Sequence, residues 1–274
     1  MSRSTSTRII DPVVGAAWCT AVVAFVLAPL VVVLAVSLTA AKFTSFPWDQ
    51  GFSTRWYAQI PENTEMLTAA WHSLQVALGA AVVATVIGTL AAIALARYDF
   101  PGKGAFSLLG GSPLFVPQVM TGLALTVGLA ATGVVGGFYL LLLGHVVITL
   151  PYVLRIVSSS LVGLNINLER AARNLGATGL QTARLVLLPQ IMPGIMAGAM
   201  MAVIVSLENV SLSIFLAGPA YEILPVWLYN YAANQFDGFA AAVSVAMVVA
   251  SLIGVGIVQK FVGLERIFGA DPEG

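Results

Sequence analysis

The sequence contains few charged residues. Twelve basic and twelve acidic residues make up only 9% of its 274 positions, whereas soluble domains carry about 25% charged residues. Apolar residues account for 59% of the chain, more than one or two soluble domains of this size could bury beneath a polar surface. The composition excludes a soluble enzyme and a disordered chain, and the net charge of zero argues against a nucleic-acid partner. It predicts an integral membrane protein that contacts the lipid bilayer.

Metal-binding and catalytic residue types are also scarce. The one cysteine, Cys19, lies in an apolar run and excludes a disulfide framework or a cysteine-based metal cluster. The two histidines, His72 and His145, fall in different apolar stretches, so we expect no metal site. The apolar stretches contain no nucleophile paired with a base, so we expect no catalytic residues and a chain that is not an enzyme by itself.

Six apolar stretches are long enough to cross a membrane as helices. Lone strands could not satisfy their backbone groups in lipid, so the sequence predicts an all-α polytopic membrane protein, with residues 1–274 forming a single transmembrane domain. The predicted spans are Pro12–Thr39, Leu67–Ala96, Ala105–Ala130, Phe138–Val157, Ile191–Leu216 and Phe239–Val258.

The distribution of basic residues predicts the orientation. If the N-terminus is inside, ten of the twelve Lys and Arg residues fall in cytoplasmic segments, and only Lys42 and Arg55 lie outside. Both termini are therefore expected in the cytoplasm. The long segment at 158–190 then becomes the main cytoplasmic loop.

This cytoplasmic loop has the signals of two short helices. Asn167 is expected to cap a helix that runs to Leu175, and Gly176 to provide a left-handed turn after it. Thr178 and Gln181 form a capping-box pattern for a second helix. Pro189 is expected to mark a bend into the fifth span. An amphipathic elbow lying on the membrane surface is the alternative interpretation of the loop.

The same loop resembles a known family. Glu169, Ala171, Ala172, Gly176 and the Val-Leu-Leu-Pro sequence ending at Pro189 resemble the EAA loop of bacterial ABC importer permeases. The alanine-to-glycine and glycine-to-valine spacings match that loop, although Arg170 occupies the usual glutamate position. The segment at 206–229, SLENVSLSIFLAGPAYEILPVWLY, is similar to the second permease subunit of spermidine/putrescine importers.

The resemblance implies a fold like that of type I ABC importer permeases and a set of partners. Glu169, Ala171, Ala172, Gly176 and Pro189 would couple the chain to a cytoplasmic ATPase. The chain has no P-loop of its own, so a partner would bind the ATP and this chain would hold no cofactor. The implied assembly has two ATPase subunits, a second permease and an extracytoplasmic solute-binding protein in the bacterial inner membrane. A polyamine is the leading substrate; phosphonate, iron, thiamine and amino-acid-like solutes are alternatives.

A few polar residues lie inside the predicted spans. Glu208, beside Asn209, lines the path of a cationic substrate or forms hydrogen bonds at the interface with the second permease, because buried carboxylates need a partner or water. An unpaired acid that faces lipid is the third alternative. His145 and Thr149 resemble a polar pattern of the same family. Together with Asn209 they are assigned to the path, with helix packing as the alternative for His145. A stand-alone secondary transporter or channel would need charge pairs or repeats that the sequence lacks.

Overall fold

The computed structural model of the protein describes residues 12–41, 51–134, 136–235 and 237–262. Across these residues the regular structure is helical, with isolated bridges at Thr39–Phe52 and Gly218–Tyr221 and no strand. This confirms the all-α prediction. The expectation that both termini are cytoplasmic falls on 1–11 and 263–274, which lie outside the described residues.

Twelve α-helices follow one another along the described residues. They are α1 (Pro12–Ser37), α2 (Arg55–Gln59), α3 (Thr64–Arg97), α4 (Lys103–Gly111), α5 (Gln118–Ala130), α6 (Phe138–Val162), α7 (Ile166–Asn174), α8 (Gly179–Thr182), α9 (Leu188–Leu207), α10 (Ser213–Leu216), α11 (Leu224–Asn234) and α12 (Gly238–Val262). Short 3₁₀ turns occupy Ile60–Glu62 and Ser112–Leu114, and a π-helical turn occupies Ala183–Leu187.

Four of the six predicted spans are single long helices. These are α1, α3, α6 and α12, each apolar enough to cross a membrane. The predicted third span is instead broken into α4 and α5, whose axes differ by 106°. The break contains Pro113 and Pro117, which lack the backbone N–H groups that a continuous helix requires.

The predicted fifth span has different bounds. The helical path runs from Gly179 to Leu207 rather than from Ile191 to Leu216. The helix ends with Glu208 as its C-terminal cap, and α10 follows as a separate short helix. The apolar composition concealed this break because Val210, Leu212 and Ile214 continue the hydrophobic pattern beyond it.

The described residues form two compact units, one of which contains the packed helical bundle. This unit comprises the described residues of 63–231 and 249–262. Its centre is the packing of α3, α6 and α9. Val153 of α6 lies between Gly88 and Gly198, where an added Cβ would come within 2.9 Å and 3.3 Å of it, respectively. Small residues therefore allow the three helices to approach closely.

The other unit comprises the described residues of 12–62 and 232–248. Most of the α1 side chains are exposed, as expected of a helix that faces lipid. The end of α1 is fixed by a 2.6 Å hydrogen bond between the Ser37 and Tyr57 hydroxyls. Trp56 Nε1 also donates to the carbonyl of Thr39 at 2.9 Å.

Candidate functional site

The loop between α6 and α9, here called the coupling loop, begins with the well-capped helix α7. Asn165 Oδ1 accepts a hydrogen bond from Asn167 N–H at 3.0 Å, so Asn165 is the N-cap. The prediction that Asn167 caps the helix is therefore wrong by two residues. Both asparagines are good capping residues, and their spacing alone could not distinguish them.

The end of α7 is a glycine turn, as predicted. Gly176 has φ +91°, in the left-handed region that favours glycine. Gly176 N–H donates to the Arg173 carbonyl at 2.9 Å, and Ala177 N–H donates to that of Ala172 at 3.1 Å. These are the two hydrogen bonds of a Schellman motif, which satisfy the last carbonyls of the helix. Gly176 therefore fixes the direction in which the chain leaves α7.

The capping box that begins α8 is also confirmed. Gln181 N–H donates to Thr178 Oγ1, and Thr178 N–H donates to Gln181 Oε1. The π-helical turn follows, with Leu188 N–H donating to the carbonyl of Ala183, five residues earlier. This wider turn precedes Pro189, which lies in the first turn of α9 and lacks an N–H. The irregularity predicted at Pro189 is thus a π-turn within a continuous helical path.

Most of α7, within the coupling loop, is exposed. Arg170, Ala171 and Arg173 are exposed and Ala172 is half-buried, so this face is accessible to another protein. Glu169 differs because its carboxylate is buried against Arg97 at the end of α3. Of the five residues assigned to ATPase coupling, the structure places Ala171, Ala172, Gly176 and Pro189 at accessible positions and Glu169 at an inward-facing one.

The segment between α9 and α10, here called the α9 break, forms a second polar region. Glu208 is exposed, whereas Asn209 is buried. Asn209 Nδ2 donates to Gln118 Oε1 of α5 at 2.6 Å, and its Oδ1 accepts from Leu212 N–H at 3.0 Å. Asn209 therefore holds the α9 break against α5, and the carboxylate of Glu208 lies on the accessible side.

His145 lies inside the bundle next to the α9 break. It is fully buried, with Nδ1 2.6 Å from Ser206 Oγ and Nε2 2.9 Å from Ser213 Oγ. Thr149 is also fully buried and donates to the carbonyl of His145 at 2.7 Å. Because both ring nitrogens of His145 are engaged, the geometry favours the helix-packing alternative for this residue. His145 joins the segments on either side of the α9 break to α6.

An open pocket at the other end of α3 was not predicted. Its volume is about 360 Å³. His72 stacks on Tyr221 with ring centroids 3.8 Å apart, and its Nδ1 lies 3.0 Å from the carbonyl oxygen of Glu222. Burial raises the pKa of Tyr221. The pocket is lined by Thr64, Glu65, Thr68, Ala69, His72, Pro219, Ala220, Glu222 and Trp227.

This pocket, here called the polar pocket, brings together residues far apart in the sequence. Residues of α3 meet the segment that precedes α11, about 150 positions away. The sequence offered one signal for the pocket, the acidic residues Glu65 and Glu222 in the predicted outside segments. Nothing in their spacing indicated that the two segments meet. The pocket presents two carboxylates beside an indole ring, a combination that can attract a cation.

The chain is similar to known membrane transport proteins. It is 33% identical over 250 residues to the spermidine/putrescine transport system permease protein PotC of Escherichia coli (strain K12), covering 91% of this chain and 94% of that protein. It is also 33% identical over 230 residues to the putrescine transport system permease protein PotI of the same organism, covering 80% and 81%.

The fold is similar to that of a chain in the crystal structure of a bacterial ABC transporter involved in the import of the acidic polysaccharide alginate. The TM-score is 0.72 at 16% identity, and the match covers 95% of this chain and 99% of that chain. The model of the family "binding-protein-dependent transport system inner membrane component" matches residues 113–263, which include both the coupling loop and the α9 break. The chain therefore belongs to this family of ABC importer permeases.

Proposed function

We propose that this chain is the permease subunit of an importer for polyamine-like cations and that it shares the translocation path with a second permease subunit. An extracytoplasmic binding protein would deliver the solute, and two ATPase subunits would drive its passage. The observation that carries the proposal is the 33% identity, over at least 80% of both chains, to two permeases whose names specify polyamine transport.

The carboxylates of the bundle support a cationic substrate. Glu208 is exposed where α9 ends, inside a mostly apolar sequence where an ionised carboxylate needs water or a counter-charge. Glu65 and Glu222 line the pocket at the far end of α3, beside Trp227. Polyamines carry several ammonium groups, which carboxylates and aromatic rings both attract.

The shape of the coupling loop supports energy coupling to a separate ATPase. The exposed Ala171 and half-buried Ala172 have short side chains, so a partner groove could approach the α7 backbone. Gly176 and Asn165 fix both ends of this short helix. Under this proposal the chain is non-catalytic and holds no cofactor, the ATPase subunits bind ATP, and the coupling loop and both termini are cytoplasmic.

Reconstitution with the partner subunits in liposomes tests this function. We expect ATP-dependent accumulation of radiolabelled spermidine or putrescine when the binding protein is present, and no accumulation when the ATPase subunits are omitted. Radiolabelled sulfate, phosphonate, thiamine and a neutral amino acid serve as controls. Accumulation without ATPase subunits would indicate a stand-alone transporter, and preferential uptake of an anion would contradict the cationic substrate.

A further inference from the structure

An ion pair connects the coupling loop to α3. Arg97 is the last residue of α3, and Glu169 lies in the first turn of α7. Arg97 Nε donates to Glu169 Oε1 at 2.9 Å, and Nη2 makes an ionic contact with the same oxygen at 2.7 Å. The two side chains are only 16% and 9% exposed. This largely desolvated contact joins residues 72 positions apart.

Glu169 is the side chain of α7 that faces the bundle. Glu169 is the buried residue of this helix, while Ile166 and Leu168 are 42% and 49% exposed. The helix otherwise packs mainly on α8 and the π-helical turn, which belong to its own loop. α7 therefore has little apolar attachment to the bundle, and the Arg97–Glu169 pair fixes which of its faces points outward.

The positions of both charges suit the pair. Cations are favourable near the C-terminus of a helix, where Arg97 lies, and anions near the N-terminus, where Glu169 lies. By contrast, a second ion pair joins Lys103, the first residue of α4, to the exposed Asp99 just before that helix, and Lys103 lowers the pKa of Asp99. That second pair connects no separate elements and provides a matched control.

Helix α3 extends from the ion pair to the polar pocket. It has 34 residues, which corresponds to about 50 Å of helix, and contains no proline. At its first turns Glu65, Thr68 and His72 line the pocket. A displacement applied to Arg97 is therefore applied to one long helix whose opposite end shapes the pocket.

We propose that the Arg97–Glu169 ion pair is the joint that transmits movement of α7 to α3. This inference rests on the proposed function, because it requires an ATPase that moves the coupling loop. Glu169 is a positioning residue within this chain, and the ATPase contacts the outward-facing Arg170, Ala171 and Arg173. Because Arg97 presents two nitrogens to one oxygen, a lysine could not reproduce the contact.

The test compares variants of the complete transporter in liposomes. Glu169→Gln removes the negative charge while keeping the side-chain size, so putrescine uptake per ATP hydrolysed should fall about tenfold. ATPase co-purification and the basal hydrolysis rate should stay within about twofold of the wild type, because the outward face of α7 is unchanged. The control Asp99→Asn, at the exposed carboxylate of the second pair, should leave all three values unchanged.

Exchanging the two charges distinguishes a joint within this chain from a direct contact between Glu169 and the ATPase. The double variant Arg97→Glu/Glu169→Arg restores opposite charges and should recover at least about half of the coupled uptake that Glu169→Arg alone loses. Arg97→Lys keeps the charge and should give an intermediate loss even if Glu169→Gln fails to assemble. The proposed joint would be contradicted if the double variant recovered no coupled uptake and lost the ATPase. Wild-type coupling in Glu169→Gln would contradict it as well.

Failure of the proposed function would look different. The wild-type complex would then import no putrescine, whatever residue stands at 169. In that case amide hydrogen exchange of the full-length chain tests the joint: Glu169→Gln should speed exchange in 166–174 about tenfold more than Asp99→Asn does. Equal exchange in the two variants would overturn the joint independently of the substrate.

Discussion

Two of the segments that interrupt the helices of the bundle are the coupling loop at 163–187 and the α9 break at 208–212. In the coupling loop, neighbouring residues satisfy the backbone: Asn165 caps α7, Gly176 ends it, and Thr178 with Gln181 caps α8. In the α9 break, neighbouring residues also bond to the backbone, but distant side chains hold the segment in addition. Asn209 is held by Gln118 of α5, and His145 of α6 bonds to serines on both sides.

This difference indicates which substitutions affect function and which affect stability. The coupling loop is mostly exposed and locally stabilised, so changes on its outer face should leave the bundle folded. The α9 break is built into the core, where a buried polar group that loses its partner costs about 1–3 kcal/mol. The exposed side chains of Glu208 and Ser211 escape this constraint.

The largest effect is expected at the glycine that ends α7. Gly176→Val places a β-branched residue at φ +91°, a conformation that costs about 1–3 kcal/mol and should redirect the chain after α7. Uptake by the reconstituted transporter should fall at least about tenfold while the chain still inserts and assembles. The matched control is Gly179→Ala, at a helical position with no atom within 4 Å of the added Cβ. If Gly176→Val showed coupled uptake at the wild-type level, the coupling loop would have no role in energy coupling.

A stability change should follow loss of the core amide in the α9 break. Asn209→Ala deprives Gln118 and the Leu212 N–H of their partners, which should lower the free energy of unfolding by about 2 kcal/mol. Thermal unfolding of the purified chain in detergent measures this loss. Ser211→Ala, at an exposed neighbouring position, is the control and should leave the unfolding temperature unchanged. Equal unfolding temperatures for both variants would show that the α9 break does not depend on this network.

A smaller effect, on transport alone, is expected at the exposed carboxylate. Glu208→Gln removes a negative charge whose attraction to a passing cation is about 1 kcal/mol. Polyamine uptake should therefore fall severalfold. Assembly and unfolding temperature should be unchanged, because Glu208 is exposed. Glu62→Gln, an exposed carboxylate outside the bundle, is the control. Full transport by Glu208→Gln, together with loss of the complex in Glu208→Leu, would favour hydrogen bonding at the interface with the second permease.

The orientation can be tested without perturbing transport. In a Cys19→Ser background, a cysteine at Asn174, which is exposed, should react with a membrane-impermeant maleimide only after the cells are opened. Transport should remain at the wild-type level. Labelling of intact cells would place the coupling loop outside and reverse the predicted topology.

The sequence predicted the coupling loop better than the α9 break for a physical reason. Capping boxes and glycine turns are local, so Thr178, Gln181 and Gly176 could be assigned from spacing, and the error at Asn167 was only two residues. The end of α9 at Leu207 could not be assigned, because the apolar pattern continues and the groups that stabilise the break, Gln118 and His145, are distant. The inward turn of Glu169 was missed for the same reason, since its partner Arg97 lies 72 residues away.

Photo-crosslinking in the assembled transporter tests the division between the two segments most directly. A photoreactive amino acid at Ala171, on the exposed face of α7, should crosslink to the ATPase subunit, whereas the same residue at Glu208 should crosslink to bound polyamine or to the second permease. An ATPase adduct from position 208, or none from position 171 in an active complex, would contradict the assignment of energy coupling to the coupling loop and of the path to the α9 break.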